Sequence, residues 1–126
     1  MAHAIATHAR IAGCSITMGE FSQRIDDVPE YYNNDPALLA RLKNTIGFEE
    51  GRIAAATTTT ADLCGQAARL LFDRLHIDAA SIDAVISVTQ TPDFIMPGNA
   101  HVLHARLGLP ETAATLDVVS GCSGYV

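Results

Sequence analysis

Basic residues are scarce in this chain, with 8 lysines and arginines against 14 aspartates and glutamates and a formal net charge of −6. Nucleic acids are held chiefly through Lys and Arg, so this balance disfavours them as partners, and the few aromatics are not interleaved with basic residues. Cysteine is scarce too. Cys14, Cys64 and Cys122 stand far apart with no C-x-x-C pair, which excludes a zinc knuckle or a disulfide framework and favours reduced thiols. No uncharged stretch approaches the roughly 18 residues of a membrane span; the longest runs from Phe94 to Ala105. The start, Met1-Ala2-His3-Ala4-Ile5-Ala6-Thr7-His8, lacks a basic stretch followed by an apolar run, so it does not read as a secretory signal. The expectation is a soluble, cytoplasmic protein that meets a small molecule or another protein, with no nucleic acid and no membrane among its partners.

What is present is apolar material for one core. At 126 residues and 48% hydrophobic, the chain suits one compact unit or part of one, not two well-buried domains. Residues 3–17, with Ile5, Ile11 and Ile16 among small residues, read as a strand broken at Gly13. Asp26 to Asn34 reads as a loop. Asp35-Pro36 supplies an N-cap and a first-turn proline for a helix with an apolar stripe at Leu38, Leu39, Leu42 and Ile46, ended by Gly47. Thr57 to Thr60 is a strand or cap, and Thr59 with Asp62 has capping-box spacing. Cys64, Ala67, Ala68, Leu71 and Leu75 then recur at helical spacing, which makes Cys64 a small core residue.

Ala84-Val85-Ile86-Ser87-Val88-Thr89 is apolar and β-branched with little alternation, the pattern of a strand covered on both faces. A helix from Pro97-Gly98-Asn99 to Leu107, stopped by Gly108 and Pro110, leads to a second strand, Thr115 to Val119. Strand, helix, strand at this spacing is a βαβ unit, which predicts a layered α/β arrangement with a right-handed crossover.

The chemistry concentrates in Ser120-Gly121-Cys122-Ser123-Gly124, directly after that strand. A thiol in the first turn of a helix sees the positive end of the peptide dipoles and becomes a better nucleophile. Gly121 would let the backbone turn sharply, Gly124 would leave room for a substrate, and free N–H groups of the turn would meet an oxyanion. These are the parts of acyl transfer through a thioester. The competing reading, a Cys packed after a strand, stands beside it on spacing alone. Ser123 is the weaker nucleophile, because the hydrolase elbow needs glycine on both sides at two residues and Tyr125 breaks that rule.

Four blocks in order resemble β-ketoacyl-acyl carrier protein synthase III: Asp83 to Asp93, Met96-Pro97-Gly98-Asn99-Ala100, Leu107-Gly108-Leu109, and Asp117 to Val126. Weaker similarity reaches back through Thr45-Ile46-Gly47-Phe48 and Thr60-Ala61-Asp62-Leu63-Cys64. The resemblance spans essentially the whole chain but only the first portion of the family's length. It implies an α/β fold, the N-terminal portion of a thiolase-like αβαβα sandwich. Residues 1–126 would form an incomplete N-terminal half ending just after the nucleophile, in an enzyme that is usually a homodimer.

The resemblance implies that Cys122 is the acylated nucleophile. Such enzymes take an acyl group from a thioester, usually of coenzyme A, and condense it with malonyl-acyl carrier protein, as in fatty acid or polyketide biosynthesis. Coenzyme A or acyl carrier protein thioesters are then substrates, with no permanently bound cofactor and no metal. A His and an Asn that activate the condensation come from the family's second half, so these residues alone are not expected to be a self-sufficient enzyme. Alternatives are a relative that uses another acceptor, or a non-catalytic partner subunit.

Met96 falls where the family often carries a bulky residue reaching into the partner subunit's acyl pocket; ordinary core filling is the competing reading. The chain has no tryptophan. Arg41 stands where members often place a Trp that stacks on the coenzyme A adenine, and Thr45 takes a frequent arginine position, so an unchanged adenine clamp is not expected. Arg41, Lys43 and Arg52 form the only local basic group, either a solvated face or a contact for a phosphate or an acidic carrier protein. His101 and His104 have a spacing that can suit a metal, but no third ligand accompanies them, so surface or packing roles are favoured.

Overall fold

Local chemistry sets where each element begins and ends in the computed structural model, which describes residues 8–125. Helix α1 (Pro36–Arg41) starts at Asp35, whose carboxylate accepts the N–H groups of Ala37 and Leu38 at 2.9 and 3.3 Å. The chain continues as a π turn, Leu42–Ile46, ended by Gly47. The extra residue in that turn breaks the 3.6-residue period that would stack Ile46 on Leu42. Leu38, Leu39 and Leu42 of the expected apolar stripe are half-buried, while Ile46 is exposed.

Helix α2 (Thr60–Leu75) opens on the expected capping box: Asp62 N–H donates to the Thr59 hydroxyl and Thr59 N–H donates to the Asp62 carboxylate. Helix α3 (Asn99–Leu107) lies between Gly98 and Gly108 as expected. The two helices pack through small residues, with Ala61 and Gly65 buried and Leu103 of α3 beside Gly65. Because that seam follows the four-residue ridge Ala61–Gly65, it leaves Cys64 outside, so the expected core cysteine is exposed. Leu71 and Leu75 instead meet Gly13, and the Ser15 hydroxyl donates to the Ala67 carbonyl at 2.5 Å. The strand expected over residues 3–17 does not form where it is described. Residues 3–7 lie outside the described residues, and residues 8–17 belong to no ladder.

Two strands without an apolar pattern form the first sheet: β1 (Phe21–Arg24) pairs antiparallel with β2 (Glu50–Ile53). The stretch expected as a loop after β1 is wound into 3-10 turns, Ile25–Asp27 and Pro29–Tyr32, with Ile25 buried beneath them. The second sheet is the expected βαβ unit. Strands β3 (Ala84–Val88) and β4 (Ala114–Val118) run parallel, from Ala84↔Ala114 to Val88↔Val118, and α3 packs on both. Among the described residues no helix is long and apolar enough to cross a membrane.

Among the described residues only one face of this sheet is covered. Ser87 is buried, while Ile86 and its register partner Leu116 are 61% and 55% exposed. The expectation of cover on both faces fails within the described residues, because α2 and α3 supply a single helical layer and side chains alternate across a strand.

A side chain of β4 holds α3 in place. The Ala100 N–H donates to Asp117 Oδ1 at 2.9 Å, and a Cβ on Gly98 would overlap the same carboxylate. Gly98 has φ −67° and ψ 163°, a conformation open to alanine, so the demand for glycine is one of space. Gly98→Ala should lower stability by about 1–3 kcal/mol, read as a lower urea midpoint at constant slope; an unchanged midpoint contradicts the contact.

A second prediction concerns acid. The Thr59 backbone N–H, then the Thr59 hydroxyl and Arg106 at 2.6 Å, hold the Asp62 carboxyl below its ordinary value. With a depressed native pKa the unfolded chain binds more protons below about pH 4, so this stabilisation is present above that range and lost as pH falls through the native pKa. Asp62→Asn should flatten the acid limb of the stability curve. Identical acid limbs for the two proteins would contradict this.

Candidate active site

Strand β4 delivers the chain to Ser120-Gly121-Cys122, where a single 3-10 turn, Cys122–Tyr125, follows. Cys122 is exposed at the head of that turn. The two glycines do other work than expected. Gly121 does not have a positive φ, and a Cβ there would meet Gln90 at an ordinary 3.6 Å, so neither strain nor crowding requires glycine. Gly124 is required by packing: a Cβ would lie 2.7 Å from Val88 Cγ1 at the end of β3. The space above the turn is thus filled by the neighbouring strand, which seats the turn against the sheet. The Gly124 N–H donates to the Gly121 carbonyl at 2.8 Å, and the Ser120 and Ser123 hydroxyls lie 3.1 Å apart.

Beside the end of β4 lies a cleft of about 280 Å³ walled by Pro92, Phe94, Ile95, Val118 and Val119. Its apolar walls reach Val119, three positions before Cys122, although Cys122 itself and Met96 are not among its lining residues. Met96 is 85% exposed, which excludes the core-filling reading within this chain. It projects from the loop that joins β3 to α3, next to Ile95 and Phe94.

That loop is held by Asp93 and by Asn99, which the sequence offered only as part of a helix start. The Asp93 carboxylate accepts the Ala61 N–H in the first turn of α2, at 3.2 and 3.3 Å. The Asp93 N–H donates to Asn99 Oδ1 at 3.0 Å, and Asn99 is fully buried. A charge inside an otherwise apolar strand was the available signal for Asp117, since a carboxylate there needs a partner.

The other candidates fall elsewhere. Cys64 is exposed, yet local desolvation and then the Asp93 carboxylate push its thiol up, making it a poor nucleophile at neutral pH. His101 and His104 diverge: the first meets the Thr115 hydroxyl at 3.1 Å and lies 3.7 Å from Asp117, the second meets the Pro110 carbonyl at 3.0 Å. Among the described residues no three His, Cys, Asp or Glu side chains group to hold a metal. The basic group is dispersed as well. Lys43 is paired with Asp26 at 2.5 Å, and the Arg52 guanidinium donates to the Gly19 and Glu20 carbonyls, leaving Arg41 as its one member without such a contact among the described residues.

No protein-family model matches the chain. It is 39% identical over 119 residues to a 3-oxoacyl-[acyl-carrier-protein] synthase 3 of Campylobacter jejuni, covering 94% of this chain and 34% of that protein. It is 34% identical over 119 residues to a beta-ketoacyl-[acyl-carrier-protein] synthase III of Xylella fastidiosa, covering 94% of this chain and 36% of that protein. The chain thus spans about a third of the length of these curated relatives. Among solved structures, a 3-oxoacyl-(acyl-carrier protein) synthase of Burkholderia xenovorans superposes with a TM-score of 0.79 at 35% identity, over 89% of this chain and 32% of that one. Xanthomonas campestris OleA shares the fold at a TM-score of 0.78 and 21% identity, over 91% of this chain and 36% of that one. The chain thus matches the N-terminal portion of β-ketoacyl-acyl carrier protein synthase III proteins and shares their thiolase fold.

Proposed function

We propose that this chain is the nucleophile-bearing part of a 3-oxoacyl-acyl carrier protein synthase III-like enzyme. The observation that carries the reading is the exposed Cys122 thiol on a turn seated against β3, three residues after Val119 of an open apolar cleft. In the first half-reaction the Cys122 thiolate attacks the carbonyl of an acyl-coenzyme A; the carbon–sulfur bond to coenzyme A breaks and its thiolate leaves. In the second, malonyl-acyl carrier protein loses carbon dioxide, and the resulting carbanion attacks the acyl-Cys carbonyl and releases the Cys122 thiolate. The apolar cleft offers the acyl chain a surface that water does not compete for. A His and an Asn from outside these residues serve the decarboxylation, and the acyl carrier protein is the acceptor's carrier in the cytoplasm.

The bare face of the β3–β4 sheet supports dependence on further protein. Burying what remains exposed of Ile86, Val88 and Leu116 is worth about 0.7–1.8 kcal/mol for each side chain, which favours a covering layer. The exposed Met96 is read as the residue that reaches a second copy's acyl pocket in a homodimer.

Two outcomes follow. In the complete polypeptide that carries this sequence, Cys122→Ala should abolish malonyl-dependent formation of 3-oxoacyl product, and undiminished product would sink the catalytic role. The 126 residues purified alone should give no turnover with acyl-coenzyme A and malonyl-acyl carrier protein; measurable turnover would overturn the dependence on further protein.

A further inference from the structure

The groove between α2 and α3 holds a cavity of about 330 Å³ that shares no lining residue with the apolar cleft or the Cys122 turn. Ala61 and Gly65, both buried, form its floor, and Thr58, Asp62, Gln66, Arg69 and Arg106 stand around it. Two of the chain's 8 lysines and arginines thus meet in one cavity. Arg106 of α3 donates from Nη1 to Asp62 Oδ1 at 2.6 Å, and Arg69 of α2 donates from Nη2 to the Arg106 carbonyl at 3.0 Å. A guanidinium has five N–H donors, and among the described residues these contacts use one apiece. Both cations are held in place with most of their donors unspent.

The carboxylate in the cavity has no such reserve. Asp62 gives Oδ1 to Arg106, while its Oδ2 accepts the Thr59 N–H at 2.8 Å. Two cations against one anion leave a surplus of positive charge, and the two guanidiniums, the Gln66 amide and the Thr58 hydroxyl can all donate. Gly65 is a separate observation. Inside a helix glycine is a poorer choice than alanine, yet a Cβ there would meet Leu103 Cδ2 at an ordinary 3.7 Å, so the α2–α3 seam does not require it. Its missing side chain leaves the floor of the cavity open.

We infer that this groove binds the phosphate group of a small molecule, gripped between Arg69 and Arg106. A carboxylate has two oxygens to offer, whereas the terminal oxygens of a phosphate can engage planar forks from two helices at once. The cavity lies at the small end of ligand pockets, about 300–1,000 Å³, which suits a phosphate with a short organic group. Its occupant would bond α2 to α3 and stabilise their packing. The site does not depend on whether Cys122 is acylated.

The test is calorimetric titration of the complete polypeptide with inorganic phosphate and with glycerol 3-phosphate, at an ionic strength held constant with sodium chloride. Saturable binding is expected, and Arg69→Ala and Arg106→Ala should each weaken it about tenfold or more, the scale of a lost hydrogen bond to a charged group. Arg69→Lys, which keeps the charge without the fork, should fall between. Arg74→Ala removes the same charge from α2 outside the cavity and should bind as wild type does. Phosphate should also slow amide hydrogen exchange at residues 61–69 and 103–107, and the tighter of the two probes tells a free ion from an ester. If Arg106→Ala does not fold, Arg106→Gln takes its place. No saturable binding by wild type, or wild-type affinity in both arginine variants because the ion sits elsewhere in the polypeptide, overturns the inference. An equal loss in Arg74→Ala does so too, since it shows only diffuse surface charge, and acetate bound as tightly as phosphate overturns the ligand class.

Discussion

The carboxylate of Asp117, seated against Gly98 and receiving the Ala100 N–H at 2.9 Å, is the contact on which the rest of the unit depends. It bonds the strand that leads to Cys122 to the first turn of the helix that returns from β3. A helix start has N–H groups without intrahelical partners, and a carboxylate there satisfies one of them and complements the dipole. Because the donor is α3 and the acceptor is β4, the crossover cannot slide along the sheet without losing the bond. The position of α3 in turn places Asn99, Asn99 places Asp93, and Asp93 caps α2 through Ala61. Three carboxylates or amides thus register two helices, one strand and the apolar loop.

Periodicity and caps made the strongly patterned elements legible. Asp35-Pro36, the Thr59–Asp62 box, the Gly98–Gly108 brackets and the apolar run of β3 each have a local physical signature, and the structure carries them all. Strands β1 and β2 escaped notice because four residues such as Phe-Ser-Gln-Arg have too little alternation to register, and their pairing is a matter of tertiary contact. Cys64 was misplaced for a related reason. Helical spacing identifies an apolar stripe but not which ridge meets the neighbour, and the seam went to the smaller pair, Ala61 and Gly65.

The nucleophile motif shows the same division. Its placement after a strand was readable, but the helix start expected at Cys122 is a single 3-10 turn, Cys122–Tyr125, and the purpose of its glycines was not legible. Gly124 faces Val88, so the motif's spacing reflects how closely the turn sits on β3. Met96 was open between packing and projection on sequence, and among the described residues it is exposed. The Asp93–Asn99 frame behind it was hidden in a Thr-Pro-Asp turn, since hydrogen bonds that span a loop leave no periodic trace.

Similarity to ketosynthase III proteins and the bare sheet face both support the proposal that further protein completes the thiol, the cleft and the projecting loop. All three cysteines, Cys14, Cys64 and Cys122, are exposed, so exposure alone does not choose among them. Peptide mapping by mass spectrometry after incubation of the complete polypeptide with an acyl-coenzyme A tests the central claim most directly. The account predicts a single acyl thioester on the peptide that contains Cys122; acylation at Cys64 or Cys14 instead, or at no cysteine across short and long acyl chains, would contradict it.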